Sequence, residues 1–243
     1  MLGIPFDRVV TQKSAVKIVQ EALAKKSFLH IVSLNPENIM SAQSDQKFMQ
    51  ILNTADIQII DGIGVLLASR WTREYKHDFE RVTGVDLMSK LIESISQTSQ
   101  TQTVTIGFLG GRDGVAKQVC EKFAMQYHPI PHMKFVTIAD VESNDATIVP
   151  RILEQKLDLL FVAFGSPTQE KWIDQHRADL SHTVCMGVGG AFDMLSGRTP
   201  RAPIIIRKLG FEWFYRLITQ PWRWRRQVKI LHFIGQVLTK TTE

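Results

Sequence analysis

The sequence predicts an α/β fold: a Rossmann-like, mostly parallel sheet with helices on both faces, followed by a helical C-terminal appendage. Apolar, β-branched segments alternate with amphipathic segments along the 243 residues, which is typical of parallel strands joined by helices. Apolar residues make up 44% of the chain, enough for a large core. Residues 201–243 contain nine Lys or Arg and two Glu, so of the total charge of +5 they carry +7 and residues 1–200 carry −2.

Helical and extended segments follow each other from the start of the chain. The predicted elements are a helix at Ser14–Lys26, a strand at Leu29–Leu34, a helix from Pro36 to about Leu52, a strand ending at Asp61, and helices at Val65–Trp71 and Leu87–Ser96. Pro36 suits the first turn of a helix, because that turn does not need its missing N–H group. Residues 78–86 are predicted to form a polar loop before the last of these helices.

The same alternation continues to the end of the predicted body at residue 198. The elements are strands at Val104–Leu109, Lys134–Ala139, Leu157–Phe164 and Thr183–Val188, with helices ending at Tyr127, spanning Ala146–Lys156, and ending near Ala178. The strand at Leu157–Phe164 is almost continuously apolar, which indicates burial on both faces of a parallel sheet. The chain therefore divides into a body, residues 1–198, and an appendage, residues 199–243.

Asp61 stands at the end of a short buried strand that contains Ile57, Ile59 and Ile60. Gly62 follows it directly, and glycine allows a sharp turn and a close approach of ligand to backbone. Ligands of open α/β sheets bind outside the carboxyl ends of the strands, where a carboxylate can serve as a general base. Asp61 could equally cap the helix that follows, and the sequence leaves both interpretations open.

Several other loops after predicted strands carry polar residues or glycine pairs. They contain Asn35, Gly110 with Gly111, Gln169, and Gly189 with Gly190 and Asp193. Exposed N–H groups at such helix starts favour phosphate, so several of these loops on one edge favour a nucleotide diphosphate ligand. Each glycine pair could also be only a tight turn. The spacing matches neither a dinucleotide-binding fingerprint nor a P-loop.

Other classes of site have little support in the sequence. Cys120 and Cys185 give neither a disulfide framework nor a metal motif, which favours a reducing compartment. The histidines show no metal-ligand spacing, and no Ser or Cys lies in a nucleophile-elbow motif. The N-terminus lacks the features of a signal peptide, and no apolar run is long enough for a membrane span. We therefore expect a soluble or peripheral protein.

The appendage combines basic, aromatic and apolar residues at helical spacing. Two apolar stripes are predicted, Leu209, Trp213 and Leu217 before Pro221, and Val228, Leu231, Ile234 and Leu238 after it. Tryptophans and arginines among these stripes are typical of helices that lie in a membrane interface. A stripe could instead pack on the body. The charge could bind nucleic acid, but no nucleic-acid-binding motif is present.

Five motifs occur in one order along the chain. They are Ser33–Glu37 (SLNPE), Asp61–Gly64 (DGIG), Arg81–Asp86 (RVTGVD), Gly165–Glu170 (GSPTQE) and Gly187–Asp193 (GVGGAFD). With these motifs the chain resembles the WecG/TagA/CpsF glycosyltransferases over nearly its whole length. Segments Arg201–Pro203 and Gly210–Leu217 continue the resemblance into the appendage.

The resemblance implies an inverting, metal-independent transferase that needs no cofactor. The implied donor is a UDP sugar, UDP-N-acetylmannosamine (UDP-ManNAc) or its uronic acid. The implied acceptor is N-acetylglucosamine (GlcNAc) on undecaprenyl diphosphate, used for bacterial surface polysaccharides. Such an enzyme would be cytoplasmic and peripheral on the inner face of the membrane. A donor of UDP-glucose or UDP-glucuronate, a homo-oligomer, and a non-catalytic nucleotide-binding module docked on the membrane remain open alternatives, and a nicotinamide-dependent oxidoreductase is a weaker one.

The resemblance also implies roles for individual residues. Asp61 matches the base, and the other implied catalytic residues are Asn35 and Arg81, near the transferred sugar or the diphosphate, and Gln169 beside them. Ser33 stands where some members have threonine, and it would contact substrate together with Gly110, Gly111, Gly189, Gly190 and Asp193. The appendage residues expected at the membrane or acceptor are Arg201, Arg216, Arg223 and Arg226.

Overall fold

The computed structural model describes residues 1–72, 79–98, 102–139, 142–221 and 224–240, with the backbone alone at residues 139, 208, 225–227 and 240. The elements are α1 (Gln12–Lys25), β1 (Leu29–Leu34), α2 (Pro36–Gln43), α3 (Gln46–Thr54), β2 (Ile57–Ile60), α4 (Ile63–Trp71), α5 (Gly84–Gln97), β3 (Val104–Gly110), α6 (Val115–Gln126), β4 (Met133–Ala139), α7 (Ile148–Gln155), β5 (Leu159–Ala163), α8 (Thr168–Gln175), β6 (Val184–Gly187), α9 (Ala191–Leu195), α10 (Ile204–Lys208), α11 (Glu212–Thr219) and α12 (Trp224–Lys240). The predicted alternation of strands and helices is confirmed.

Local capping explains where the elements differ from the prediction. The single helix predicted after β1 is two helices, because Asp45 accepts a hydrogen bond from the Phe48 N–H at 3.1 Å and starts α3. The predicted loop at residues 78–86 is too long, since Thr83 caps α5 by accepting from the Asp86 N–H at 3.1 Å. The short helix α9 was not predicted.

The sheet has six strands in the order β2-β1-β6-β5-β3-β4, and every neighbouring pair is parallel. All carboxyl ends therefore meet at one edge, called the rim below. Successive residues face opposite sides, so Ile59 packs with α1, α5 and α6, whereas Ile60 packs with α2, α3 and α4. Both faces are covered by helices, as the sequence predicted.

A crevice is expected between the ends of β3 and β5. The connection from β3 leads outward to β4, whereas the connection from β5 leads back to β6. The helices that follow also lie on opposite faces, with Phe123 of α6 in one core cluster and Ile173 of α8 in another. Ligands of open α/β sheets bind at such a reversal, so the topology predicts a ligand site beside the glycine loops.

The appendage packs against the body mainly through α12. Phe233 and Val237, 1% and 6% exposed, lie in the same core cluster as Ile39 of α2 and Val65 of α4. The apolar stripe predicted on this helix faces outward instead: Leu231, Ile234 and Leu238 are 68%, 44% and 49% exposed. The helix therefore has two apolar sides, and only the side with Phe233 is buried.

The first predicted stripe of the appendage does not lie on one helix. Leu209 follows the end of α10, and Trp213 belongs to α11. Gly210 separates the two helices with a φ of +79°, and a Cβ there would lie 2.7 Å from Ile63 at the start of α4. The turn between α10 and α11 is thus pressed against the rim. Among the described residues, no helix is both long enough and apolar enough to cross a membrane.

Candidate active site

The loops after β1 and β2 are packed tightly together. The N–H groups of Asp61 and Gly62 both point to the carbonyl oxygen of Leu34, at 3.0 and 3.4 Å. A Cβ at Gly62 would lie 2.6 Å from Pro36 Cδ and 3.1 Å from Asn35 Cβ. Because only glycine permits this approach, Asp61 and Asn35 come to the same part of the rim.

Asp61 does not cap the helix that follows it. The N-cap residue of α4 is Gly62, and no side chain caps this helix, so the capping interpretation is wrong. The backbone N–H of Gly84, the first residue of α5, instead faces the Asp61 carboxyl closely enough to lower its pKa. The carboxylate therefore lies at the positive end of a 14-residue helix.

The environment of Asp61 raises the pKa of its carboxyl group. Burial raises the pKa of the Asp61 carboxyl, and the negative charge of Glu212 raises it further. The guanidinium groups of Arg81 and Arg216 and the Gly84 N–H act in the opposite direction, yet the pKa remains above its ordinary value. A carboxylate with a raised pKa binds a proton more strongly, and this is what a general base requires.

Arg81 joins the rim to the appendage. Its Nε donates to the carbonyl oxygen of Asp61 at 2.8 Å, and its Nη1 donates to the carbonyl oxygen of Arg207 at 3.1 Å. Its Nη2 donates to Glu212 Oε2 at 2.9 Å, and the two side chains are 19% and 11% exposed. The planar guanidinium serves three acceptors at once, which a lysine ammonium on its flexible stem would match poorly.

Arg216 of α11 completes a group of four charges. Its Nη2 donates to Met194 Sδ at 2.8 Å and lies 3.8 Å from Glu212 Oε1. Its side chain is 25% exposed. Asp61, Arg81, Glu212 and Arg216 are called the charged cluster below. Two of its members come from the body and two from the appendage.

Arg201 binds a different part of the rim. Its Nη2 donates to Asp86 Oδ1 at 2.7 Å, beside Thr83 at the start of α5. Burial raises the pKa of Asp86, but the hydrogen bonds from Thr83 and Arg201 outweigh this and hold it below its ordinary value. The other two predicted arginines cannot be placed. Arg223 lies outside the described residues, and for Arg226 only the backbone of α12 is described.

Asn35 and Ser33 line the end of β1. Asn35 is the N-cap of α2, and its Oδ1 accepts from the Asn38 N–H at 2.8 Å. The Ser33 carbonyl accepts from Asn38 Nδ2 at 2.8 Å, and its hydroxyl would lie 4.0 Å from a Cβ at Gly84. Ser33 therefore faces the same helix start as Asp61, and a role in substrate binding remains a prediction for both residues.

Gln169 ties two rim loops together. It is 4% exposed, and its Oε1 accepts from the N–H groups of Gly165 and Gly189 at 3.2 and 3.0 Å. Its Nε2 donates to Glu170 Oε1 at 2.9 Å. A Cβ at Gly187 would lie 2.6 Å from Gln169 Nε2, so the strand leaves room for this amide. Gln169 thus braces the loops after β5 and β6.

The glycine loops lie next to this brace. Gly110 and Gly111 have φ angles of +85° and +84°, and Gly189 has one of +48°. Gly190 is the N-cap of α9, and the half-buried Asp193 lies in the first turn of that helix. Residues 110–111, 165 and 189–190 are called the glycine loops below. They lie at the carboxyl ends of β3, β5 and β6, next to the expected crevice.

The structure brings the predicted residues to one rim but in two groups. The charged cluster follows β2 and involves the appendage, whereas Gln169 and the glycine loops follow β3, β5 and β6. Glu212 and Glu170 were not among the predicted site residues. Glu212 was recognisable as an acidic residue within a strongly basic segment. In the described part of the chain, no three His, Cys, Asp or Glu side chains are grouped as a metal site would require.

Comparisons with known proteins give one consistent result. The family model described as "Glycosyl transferase WecG/TagA/CpsF family" matches residues 1–243. An N-acetylglucosaminyldiphosphoundecaprenol N-acetyl-beta-D-mannosaminyltransferase of Bacillus subtilis (strain 168) is 34% identical over 209 residues, covering 86% of this chain and 78% of the relative. The protein of the same name from Staphylococcus aureus (strain NCTC 8325 / PS 47) is 33% identical over 229 residues, covering 93% and 85%.

Proposed function

The chain belongs to the WecG/TagA/CpsF family of glycosyltransferases, and from this premise we propose that it transfers N-acetylmannosamine or its uronic acid from UDP to GlcNAc on undecaprenyl diphosphate. The names of the Bacillus and Staphylococcus relatives support the mannosamine-type sugar and the lipid-linked acceptor. The glycine loops support a nucleotide diphosphate donor. The product would enter a bacterial surface polysaccharide.

The placement of Asp61 carries this proposal. The acceptor hydroxyl attacks the anomeric carbon of the donor, a new C–O bond forms, and the bond to the diphosphate oxygen breaks. The hydroxyl proton passes to Asp61, and the bonding electron pair leaves with UDP. A single positioned carboxylate suits such a direct displacement with inversion, and the raised pKa of Asp61 suits proton transfer.

The leaving diphosphate needs positive charge or N–H groups as the bond breaks. We assign this role to Arg216, which is 25% exposed at the rim, and to the first turn of α9 after Gly190, because the N–H groups of Gly111, Gly165 and Gly189 already donate within the protein. Arg81 contributes positive charge only, because its N–H groups are already bound to acceptors of the protein. On this proposal no metal is required, so transfer should continue in excess EDTA. Loss of transfer in EDTA that Mg²⁺ restores would refute this part.

The appendage is proposed to seat the enzyme on the anionic inner face of the cytoplasmic membrane, where the lipid-linked acceptor lies. Large apolar side chains on and beside α10 and α11 are exposed: Ile204, Ile205, Leu209, Phe211, Phe214 and Ile218, by 48% to 71%. Leu67 and Trp71 of the neighbouring α4 are also exposed, by 57% and 65%. Exposed apolar groups beside arginines favour a bilayer surface.

Substitution tests the membrane contact better than truncation, because removing the appendage would also uncover the core around Phe233. The double variant Ile205→Ser with Phe214→Ser should bind vesicles of anionic and neutral phospholipid about tenfold or more weakly than the wild type. Leu153→Ser, on the exposed side of α7, is the control. Equal vesicle binding by all three proteins would refute the proposed contact.

A donor panel tests the function as a whole. UDP-ManNAc, UDP-ManNAc uronate, UDP-glucose and UDP-glucuronate are incubated with lipid-linked GlcNAc, and the product is identified by mass spectrometry and its anomeric configuration by NMR. We expect transfer from one mannosamine-type donor. Transfer only from a glucose-type donor would change the substrate. Retention of UDP without any product would favour the non-catalytic module.

A further inference from the structure

Glu212 is a buried acid in a basic segment. Its side chain is only 11% exposed, and it is the first residue of α11. A carboxylate buried to this extent is costly unless it is paired and hydrogen-bonded. Its position at the contact between appendage and rim therefore needs an explanation.

The partners of Glu212 come from both sides of that contact. One carboxylate oxygen accepts from Arg81 Nη2 of the body at 2.9 Å, and the other lies 3.8 Å from Arg216 Nη2 of its own helix. Arg81 has little freedom to turn elsewhere, since its other nitrogens are bound to backbone carbonyls at 2.8 and 3.1 Å. Glu212 thus binds Arg81 and lies within ion-pair distance of Arg216, and both guanidinium groups act on Asp61.

We propose that Glu212 is a positioning residue for the transfer reaction: it holds Arg81 and Arg216 beside Asp61 and offsets part of their positive charge there. The proposal rests on the proposed function, because it assumes that Asp61 is the base. Docking of α11 and the state of the base are then coupled, so the base reaches its working state only when the appendage is in place.

The charge balance around Asp61 explains why an acid is needed. The groups that act on Asp61 are Arg81, Arg216, Glu212 and the N–H at the start of α5. Two arginines alone would favour the ionised carboxylate and make it a weak proton acceptor. Burial is the largest effect and raises the pKa of Asp61, and Glu212 acts in the same direction. Removing the negative charge of Glu212 while keeping its shape should therefore lower the pKa of Asp61.

Glu212→Gln makes this test, because glutamine keeps an oxygen for Arg81 and loses only the charge. We expect kcat at the pH optimum to fall about tenfold, and the acid limb of the kcat profile to move down by roughly one pH unit. Glu121→Gln is the matched control, since Glu121 is 60% exposed on α6 and paired with Lys117. It should leave both kcat and the acid limb unchanged.

A second measurement does not depend on activity. The wild type and Glu212→Gln, labelled with ¹³C at the aspartate carboxyls, are titrated by NMR, and Asp61→Asn identifies the Asp61 signal. The Asp61 titration should move to lower pH in Glu212→Gln. An unmoved or raised titration in a folded variant would overturn the proposal and leave Glu212 as a structural ion pair. If the wild type transfers no sugar but the titration moves, the proposed function fails and the electrostatic role of Glu212 stands.

Discussion

The two halves of the rim are held together in different ways. In the charged cluster, ion pairs cross between the body and the appendage, with Arg81 and Glu212 2.9 Å apart. In the glycine loops, backbone N–H groups are fixed by one neutral side chain, Gln169, at 3.0 and 3.2 Å. The first half depends on charges from both the body and the appendage, whereas the Gln169 hydrogen bonds that join the glycine loops lie within the body. We infer that the charged cluster performs the chemistry and the glycine loops bind the donor.

Asp61→Asn should have the largest effect. We expect kcat to fall by about 10²- to 10⁴-fold, while UDP affinity, measured by calorimetry, changes little because the glycine loops are intact. A comparable loss of UDP affinity would contradict the inference that the charged cluster performs the chemistry while the glycine loops bind the donor.

The same variant should be more stable than the wild type at neutral pH. The folded state holds the Asp61 proton more tightly than the unfolded chain, so ionisation costs stability above the raised pKa and costs nothing well below the ordinary value of 3.8. The gain in Tm should therefore shrink as the pH falls. A lower Tm at neutral pH would contradict the assignment of a raised pKa to Asp61.

Gln169→Ala tests the half of the rim that contains the glycine loops. It leaves the N–H groups of Gly165 and Gly189 and the buried Glu170 without their partner, which costs about 1–3 kcal/mol for each group left unpaired. We expect a lower Tm and a KM for the donor raised about tenfold, with a smaller change in kcat. Gln97→Ala, at the exposed end of α5, is the control. A fall in kcat with KM unchanged would instead support a catalytic role for Gln169.

Two glycines with the same backbone conformation test whether the donor binds at the glycine loops. Gly111 and Gly114 have φ angles of +84° and +81°, so alanine is strained by about 1–2 kcal/mol at either position. A Cβ at Gly111 would lie 2.3 Å from Val115 Cγ2, whereas nothing lies within 4 Å of one at Gly114. Donor KM should rise several-fold in Gly111→Ala but not in Gly114→Ala. Equal KM values would place the donor elsewhere.

A substitution at the opposite edge of the sheet should leave kcat unchanged. His30, near the start of β1, is 2% exposed, and burial followed by the charge of Arg177 lowers its pKa to about 3. The unfolded chain binds this proton below about pH 6.5, so stability is lost as the pH falls from there toward 3. His30→Phe should reduce this acid loss, seen as a flatter dependence of Tm on pH, with kcat unchanged. An equally steep dependence in the variant would exclude His30 as its cause.

The sequence predicted the elements that are set by local patterns and missed the contacts that are set by packing between distant segments. The strands and most helices follow from periodicity, and the glycine after Asp61 marked the turn at the rim. The break before α3 could have been read from Asp45, a common N-cap residue. The contact of Glu212 with Arg81 spans 131 positions, and no local pattern encodes it. Likewise both apolar sides of α12 satisfy helical spacing, and only packing decides that Phe233 is buried.

The pH dependence of transfer tests the central claim, that Asp61 in the charged cluster is the base. Transfer at saturating donor is measured from about pH 4.5 to 8.5, roughly two units on either side of the ordinary histidine pKa. The wild type is compared with His30→Phe, so that acid unfolding can be separated from catalysis. The account predicts that the rate falls on the acid side with an apparent pKa above the 3.8 of an ordinary aspartate, and that the residual transfer by Asp61→Asn lacks this limb. The same acid limb in Asp61→Asn would contradict it.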